Sequence, residues 1–344
     1  MKKLLTILLL LSMLLSFISC GQSPQPDGSE DDNNSREELE VEYPLTVTDQ
    51  KGREVLIEEE PQRIVSGYYI STSAIIALGL ADKMVGIEDK ADKRAIYKLA
   101  APELISLPNV GNKTTFSAET CASLSPDLVI LPAVMTNHAE TLEELGIDVL
   151  LVNPESQQLL TEMVELIALA ANAKPKAKEL LDYTDRQQQL LEAAVIGAEA
   201  PTVYLAGKTL LRTAGNGMYQ ADMIAMAGGV NAAKDIDSAD WADISYEQLL
   251  LWDPDYIVIA SDSGCTVEDV LSDPNLADCK AVKNAKVYKL PNKAESWDSP
   301  IPGGILGAIW VASVLYPDCV STSECDEVIE TFYERFYGFK YSES

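Results

Sequence analysis

Histidine is nearly absent: His138 stands alone in 344 residues. Receptors that ligate zinc or manganese directly draw on several imidazoles, so that class is disfavoured, as is any histidine-based acid–base pair. Positive charge is also scarce, with 26 Lys and Arg against 54 Asp and Glu and a formal net charge of −28. A chain so acidic is a poor partner for nucleic acid. None of the six cysteines falls in a C-x-x-C spacing, which removes a dithiol redox motif and a structural zinc site. A Gly-rich phosphate loop and a Gly-x-Ser-x-Gly elbow are missing too, so nothing marks an enzyme and no cofactor is expected. No apolar run outside the first twenty residues reaches the ~20 residues that a bilayer-spanning helix needs.

What is present begins with a leader. Lys2 and Lys3 precede an apolar stretch, Leu4 to Ile18, which closes at Ser19 and Cys20. The order is that of a secretory signal at residues 1–19. A small residue directly before Cys20 resembles the lipobox of bacterial lipoproteins, although Phe17 departs from its usual aliphatic position. That likeness implies acylation of Cys20 and anchorage at a membrane. Residues 20–44 carry Gly, Ser, Pro, Asn and many carboxylates without apolar periodicity, the composition of a disordered tether. The remaining cysteines are Cys121, Cys265, Cys279, Cys319 and Cys325. In an oxidising compartment Cys265–Cys279 and Cys319–Cys325 are candidate local disulfides with Cys121 left over; in a reducing one all five stay thiols.

Beyond residue 44 the chain alternates strand-like and helix-like segments. Thr46–Ile57 reads as a hairpin around Gly52. Ile64–Ser66 leads into a helix through Ile75, Ile76 and Leu78, for which Ser71 or Thr72 is a candidate cap and Gly79 the stop. A strand at Met84–Ile87, a charged helix over Ala91–Leu99, a strand at Leu128–Leu131, a helix over Asn137–Leu145 and a strand at Asp148–Val152 follow. This is the alternation of a parallel sheet wrapped by helices. Two helices then intervene, the second running about 22 residues from Pro175, or roughly 33 Å, as a stiff strut. After Pro201 the alternation resumes, with a final amphipathic helix near Asp326–Phe336. The expected fold is α/β, in two lobes joined by one long α-helix. Its parts are an N-terminal lobe at 45–155, linking helices at 156–197 and a C-terminal lobe at 198–338.

An internal repeat supports two lobes of one design. Glu119 stands seven residues before Pro126-Asp127, and Glu247 seven before Pro254-Asp255. Each pair is followed by an apolar strand-forming run, so each copy reads as a short helix, a Pro-Asp stop and a buried strand. On their own, the glutamates read as helix N-terminal acids facing the macrodipole.

An ordered set of segments then resembles one family. It comprises the hairpin with Arg63-Ile64-Val65-Ser66, Ala77-Leu78-Gly79-Leu80, Val85-Gly86-Ile87, Val110-Gly111 and both repeat copies. Ala227-Gly228-Gly229-Val230-Asn231 and Leu306-Gly307 with Trp310, Ala312 and Leu315-Tyr316-Pro317 complete it. The likeness covers nearly all of 45–337 and is to the periplasmic-binding-protein family that serves importers of iron–siderophore complexes, haem and cobalamin. It implies a monomeric, extracytoplasmic and lipid-anchored receptor that is not an enzyme. The receptor holds a small-molecule ligand between its lobes, a metal complex with a siderophore first and haem or a corrinoid next, an oxyanion such as molybdate last, and delivers it to an ABC permease dimer with its ATPase. In such a receptor Glu119 and Glu247 would meet the permease, mirrored carboxylates suiting a two-fold partner.

Loops after the strands should line the cleft. They nominate Tyr68, Tyr69, Lys113, Phe116, Met135 and His138 in the first lobe. In the second they nominate Arg212, Met218, Tyr219, Trp241, Trp297 and Asp298. Trp241 matches a tryptophan of cobalamin-binding relatives, whereas Lys113 and Pro132 stand where those relatives have aromatics. Two readings of other kinds remain: an α/β enzyme akin to metal chelatases, and an orphan lipoprotein acting as surface sensor or adhesin.

Overall fold

The computed structural model describes residues 41–238 and 240–343. The leader, Cys20 and all but the last four residues of the tether lie outside that range. Strands β1 (Leu45–Thr48) and β2 (Glu54–Ile57) pair antiparallel around a left-handed Gly52, as the alternation predicts. The buried Asp49 at this turn accepts hydrogen bonds from the Arg53 side chain at 2.8 Å and from Leu151 N at 3.1 Å. The hairpin is thereby fixed to the edge strand of the first lobe, a common way of closing an exposed edge. The body starts slightly before the expected boundary. Tyr43 donates from its hydroxyl to Ala170 O at 3.0 Å and packs against the core, so the last part of the 20–44 segment is docked rather than free.

The first lobe runs β3 (Ile64–Ser66), α1 (Tyr69–Ala77), β4 (Met84–Gly86), α2 (Ala95–Ala100), α3 (Ala118–Ser123), β5 (Leu128–Pro132), α4 (Thr136–Glu143) and β6 (Asp148–Val152). Its strands are all parallel in the spatial order β4-β3-β5-β6. Helices α5 (Gln157–Ala170) and α6 (Lys174–Val195) follow. The second lobe holds β7 (Thr202–Ala206), β8 (Arg212–Ala214), α7 (Tyr219–Met226), β9 (Val230–Asn231), β10 (Trp241–Asp243), α8 (Tyr246–Trp252), β11 (Tyr256–Ile259), α9 (Val267–Leu271), α10 (Lys280–Lys283), β12 (Val287–Lys289), α11 (Gly304–Leu315) and α12 (Thr322–Tyr337). Its four-stranded sheet is again parallel, in the order β9-β7-β11-β12. Numbered within each lobe, both sheets read 2-1-3-4, so the duplication suggested by the repeat is a duplication of topology.

Strands buried on both faces explain the unbroken apolar runs, because a parallel sheet covered on two sides leaves no polar face. Alternate residues of β5 point to opposite cores. Val129 and Leu131 enter a small outer cluster with Val149 and Leu151, whereas Leu128 and Ile130 enter the main core. The second lobe repeats this: Ile257 and Ile259 lie in an outer cluster, Tyr256 and Val258 in the main core. That main core is continuous through both lobes and includes α5, α6, α11 and α12. Helix α6 has the 22 residues expected and is packed on α5, α7 and α11.

Several local expectations are corrected. Ser71 and Thr72 lie inside α1, which starts at Tyr69. Their hydroxyls bond backward to Tyr68 O and to Ser66 instead of capping the helix. The charged helix at 91–99 is split into a 3₁₀ turn, Ala91–Lys93, and α2, with Arg94 extended between them. After β7 the chain adds an element that the simple alternation does not anticipate, β8, which pairs with β10 in a small antiparallel ribbon. Helix α12 begins at Thr322, where Ser321 and Glu324 form a reciprocal capping box. Neither candidate disulfide forms: Cys121, Cys265, Cys279, Cys319 and Cys325 are all free, and Cys325 is buried while Cys319 is exposed.

Candidate functional site, the interlobe cleft

The carboxyl ends of the strands in both sheets open on one cleft, the expected ligand position for parallel α/β sheets. It has two adjoining compartments of about 480 and 470 Å³. Both are bordered by Tyr69, Asp262, Ser296 and Ser299, so Tyr69 stands at the partition. Each has the size of a typical small-molecule site.

Tyr68 and Tyr69 follow β3 and reach the cleft as expected. Their rings meet edge to face at 5.6 Å. Tyr69 donates from its hydroxyl to Ser299 Oγ at 3.2 Å, which ties the first lobe to the second. Its ring also carries the Arg94 guanidinium, 4.0 Å from the centroid. The Arg94 Nε lies 3.3 Å from Glu88 Oε1. Burial pushes the Glu88 carboxyl up, but it accepts from Tyr97 at 2.6 Å and Thr72 at 2.7 Å, so its position is fixed.

From the second lobe come Arg212, Met218, Trp241 and Asp298, all lining the 470 Å³ compartment. Trp241 sits on β10 with its ring against the backbone of β8 and Gly207. A Cβ at Gly207 would lie 2.3 Å from that ring, so only glycine permits this approach. Arg212 pairs with Asp243 across the same ribbon at 3.2 Å. Asp298 accepts from Ser261 Oγ at 2.5 Å, and burial raises its pKa. Gln220 donates to Asp298 O at 2.7 Å and leaves its own buried Oε1 without a partner at the cleft wall.

Six nominated residues do not line either compartment. Trp297 is 1% exposed, and its indole donates to Tyr333 Oη at 2.8 Å, because a buried tryptophan must satisfy its N–H inside. Tyr219 is wholly buried under α11, where Gly304 leaves room for its hydroxyl. Phe116 and Met135 belong to the outer cluster of the first lobe, Phe116 meeting His138 at 5.1 Å. Lys113 is exposed on a turn held by Asn112 and Thr114, away from the cleft. His138, half-buried, stays with Phe116 outside it as well.

Several cleft residues escaped the sequence reading: Lys90, Lys93 and Arg94, Lys208, Glu155 and Asp262. Glu155 and Asp262 each lie three residues beyond a strand end, so the strand-end rule could have found them. Arg94 was hidden because its neighbourhood reads as a solvated helix.

The repeated glutamates lie away from the cleft compartments, at matched places. Glu119 and Glu247 are exposed in the first turns of α3 and α8. In both helices a serine two residues earlier, Ser117 or Ser245, caps the N-terminus. The Ser245 hydroxyl holds the Glu247 carboxyl below its usual range. Six residues after each glutamate the chain turns left-handed, at Ser125 with φ 49° and at Asp253 with φ 42°. The following aspartate then fastens the neighbouring strand. Asp127 accepts from Gln62 N and Arg63 N, both at 2.9 Å, ahead of β3. Asp255 accepts from Thr202 N and Oγ1, both at 2.8 Å, at the head of β7. The true repeat is therefore Ser-x-Glu-x₆-Pro-Asp.

Two matched lobes closing on a lined cleft define a solute receptor. The profile described as "Periplasmic binding protein" matches residues 64–294. The chain belongs to that family, the substrate-binding components of ABC importers. Among its relatives is the molybdate-binding protein MolA of Haemophilus influenzae, 25% identical over 326 residues, covering 86% of this chain and 91% of that one. The Fe(3+)-citrate-binding protein YfmC of Bacillus subtilis is 28% identical over 291 residues, covering 83% and 87%. A crystal structure of a periplasmic solute binding protein from Veillonella parvula superposes with a TM-score of 0.75 at 28% identity, covering 86% and 93%.

Proposed function

We propose that this chain is an extracytoplasmic receptor, lipid-anchored through Cys20, that captures an anionic iron(III) chelate and delivers it to a permease dimer. The chelate is a siderophore or a carboxylate complex of that type. One observation carries the reading. Lys90, Lys93, Arg94, Lys208 and Arg212 gather around the cleft of a chain whose net charge is −28. Cations concentrated in a concave site of an otherwise acidic protein attract a negatively charged solute. The compartment volumes suit a chelate, and Tyr68 and Trp241 offer faces for its organic part. The metal would arrive already wrapped: among the described residues no group of three or more His, Cys, Asp and Glu could hold a bare ion. The likeness to the Fe(3+)-citrate-binding protein supports the same choice. Glu119 and Glu247 would dock the permease, one on each lobe. No enzymatic step is assigned.

A second reading, an oxyanion such as molybdate, is favoured by the likeness to MolA. Purified protein challenged with ferric citrate, ferric siderophores, hemin, cyanocobalamin and molybdate separates the two. Absorbance spectra and native mass spectrometry should report a bound ferric chelate. Retention of molybdate alone overturns the iron reading.

A further inference from the structure

The compartment on the far side of Tyr69 from Trp241 is lined by Lys90, Lys93 and Arg94, of which Lys93 pairs with Asp92 and Arg94 is held against the wall. Three constraints hold Arg94. Its Nε faces Glu88 at 3.3 Å, its guanidinium lies on the Tyr69 ring, and its backbone is extended at the start of α2. Glu88 is itself clamped by Tyr97 and Thr72, so this support is rigid. Ile96, two residues on, donates from its backbone to Ala294 O of the second lobe at 3.0 Å. The terminal nitrogens of Arg94 make no hydrogen bond to any described residue, although the side chain is only one-third exposed. The buried Nε has no hydrogen-bond partner either, Glu88 lying at ion-pair distance only, so the guanidinium can take a further acceptor on its open fork.

The surroundings agree. Lys90 borders the same compartment with no ion pair among the described residues, held in a left-handed turn at φ 66°. The two nearby carboxylates are already engaged. Glu295 accepts from Ser73 at 3.0 Å and Tyr333 at 3.1 Å, and Asp262 accepts from Asn292 at 2.7 Å.

We propose that this compartment is an anion subsite in which the Arg94 fork, with Lys90 beside it, receives a carboxylate of the ligand. The proposal rests on the receptor reading and sharpens it. Charge discrimination is assigned to the first lobe at Arg94, and stacking to the second lobe at Trp241. A planar fork matches a carboxylate with two parallel N–H···O bonds, which a lysine cannot reproduce.

The test measures binding of ferric citrate, metal-free citrate, molybdate and a neutral ferric trihydroxamate to the full chain and to Arg94→Gln, Arg94→Lys and Lys90→Gln. Arg94→Gln should weaken ferric citrate by about tenfold or more, a loss typical of a charged bidentate contact. Arg94→Lys should fall between it and the wild type, and Lys90→Gln should lose about threefold with a shallower salt dependence. The neutral chelate should change less than about twofold. Should Arg94→Gln unfold because it leaves the buried Glu88 without its cation, Arg94→Lys and Lys90→Gln decide alone. Unchanged anion binding in the folded variants overturns the subsite, as does a wild type that binds only the neutral chelate; the iron reading survives both. Arg94-dependent binding of free citrate or molybdate with no ferric chelate bound keeps the subsite and removes the iron reading. Binding of no probe at all overturns both.

Discussion

The two lobes share a sheet order, a capped helix with an outward glutamate, and an aspartate that fastens the next strand, yet they share almost nothing at the cleft. The first lobe presents Tyr68, Tyr69 and Arg94 from the segments after β3 and β4. The second presents Arg212 and Trp241 from a β8–β10 ribbon with no counterpart opposite. Duplicated features set the frame, and unduplicated ones line the cleft. The main core also runs through both lobes, so the halves are copies that do not pack independently. Closure about such a joint should be small, since a shared core resists sliding.

The first way to break this comparison is at the mirrored glutamates. Glu119→Ala combined with Glu247→Ala should reduce uptake to background while solute affinity and the unfolding midpoint stay unchanged. The single variants should each lose a similar share, and an asymmetric outcome would mean that the lobes are not equivalent to the permease. Next come the two tryptophans. Trp297→Ala should cost about 3–5 kcal/mol in urea unfolding, the usual penalty for a core aromatic. Trp241→Ala should leave the midpoint almost in place and weaken binding by stacking-scale energy, on the order of 1 kcal/mol. The opposite pattern would exchange their assignments.

Smaller effects test the strand fasteners. Asp127→Ala and Asp255→Ala should each cost about 1 kcal/mol in equilibrium unfolding, with Asp255 the larger because it also pairs with Lys280. If one is silent, its lobe does not depend on the turn. The smallest effect is a pH slope. Burial pushes the Glu295 carboxyl up to about 7. Between the ordinary carboxylate range and that value the folded chain keeps a proton the unfolded chain has lost. Its contribution is therefore complete at low pH and disappears as pH rises towards 7. Glu295→Gln, which cannot ionise, should remove this part of the slope. A shift of no more than a few degrees in midpoint between pH 5 and 8 should separate it from the wild type.

Architecture was legible in the sequence because burial on both faces of a parallel sheet writes long apolar runs, and because the Pro-Asp stop recurs in register. The serine that completes each repeat was passed over, since one hydroxyl two positions from a glutamate carries no periodic signal. The cleft was legible where a residue directly follows a strand, as at Tyr68 and Tyr69. It was not legible at Trp297 and Tyr219, because an aromatic that lines a cleft and one that anchors a core have the same composition. Arg94 shows the converse. Its charge suggested solvent, and only a fold that brings Glu88 and Tyr69 beside it reveals a held cation.

The last long helix, α12, returns to the first lobe, where Tyr337 bonds Ser73 of α1 at 3.0 Å, while its Tyr333 donates to Glu295 of the second. Read along the direction of synthesis, this means the first lobe is finished by a helix made after every strand of both sheets. Until α12 arrives, the Glu295 carboxyl and the Trp297 indole lack a partner that they must have when buried. A polypeptide stopped before Thr322 would hold every strand of both sheets and still have an open seam. The fold around the cleft is thus closed by α12 only after all of the cleft-lining residues have been made.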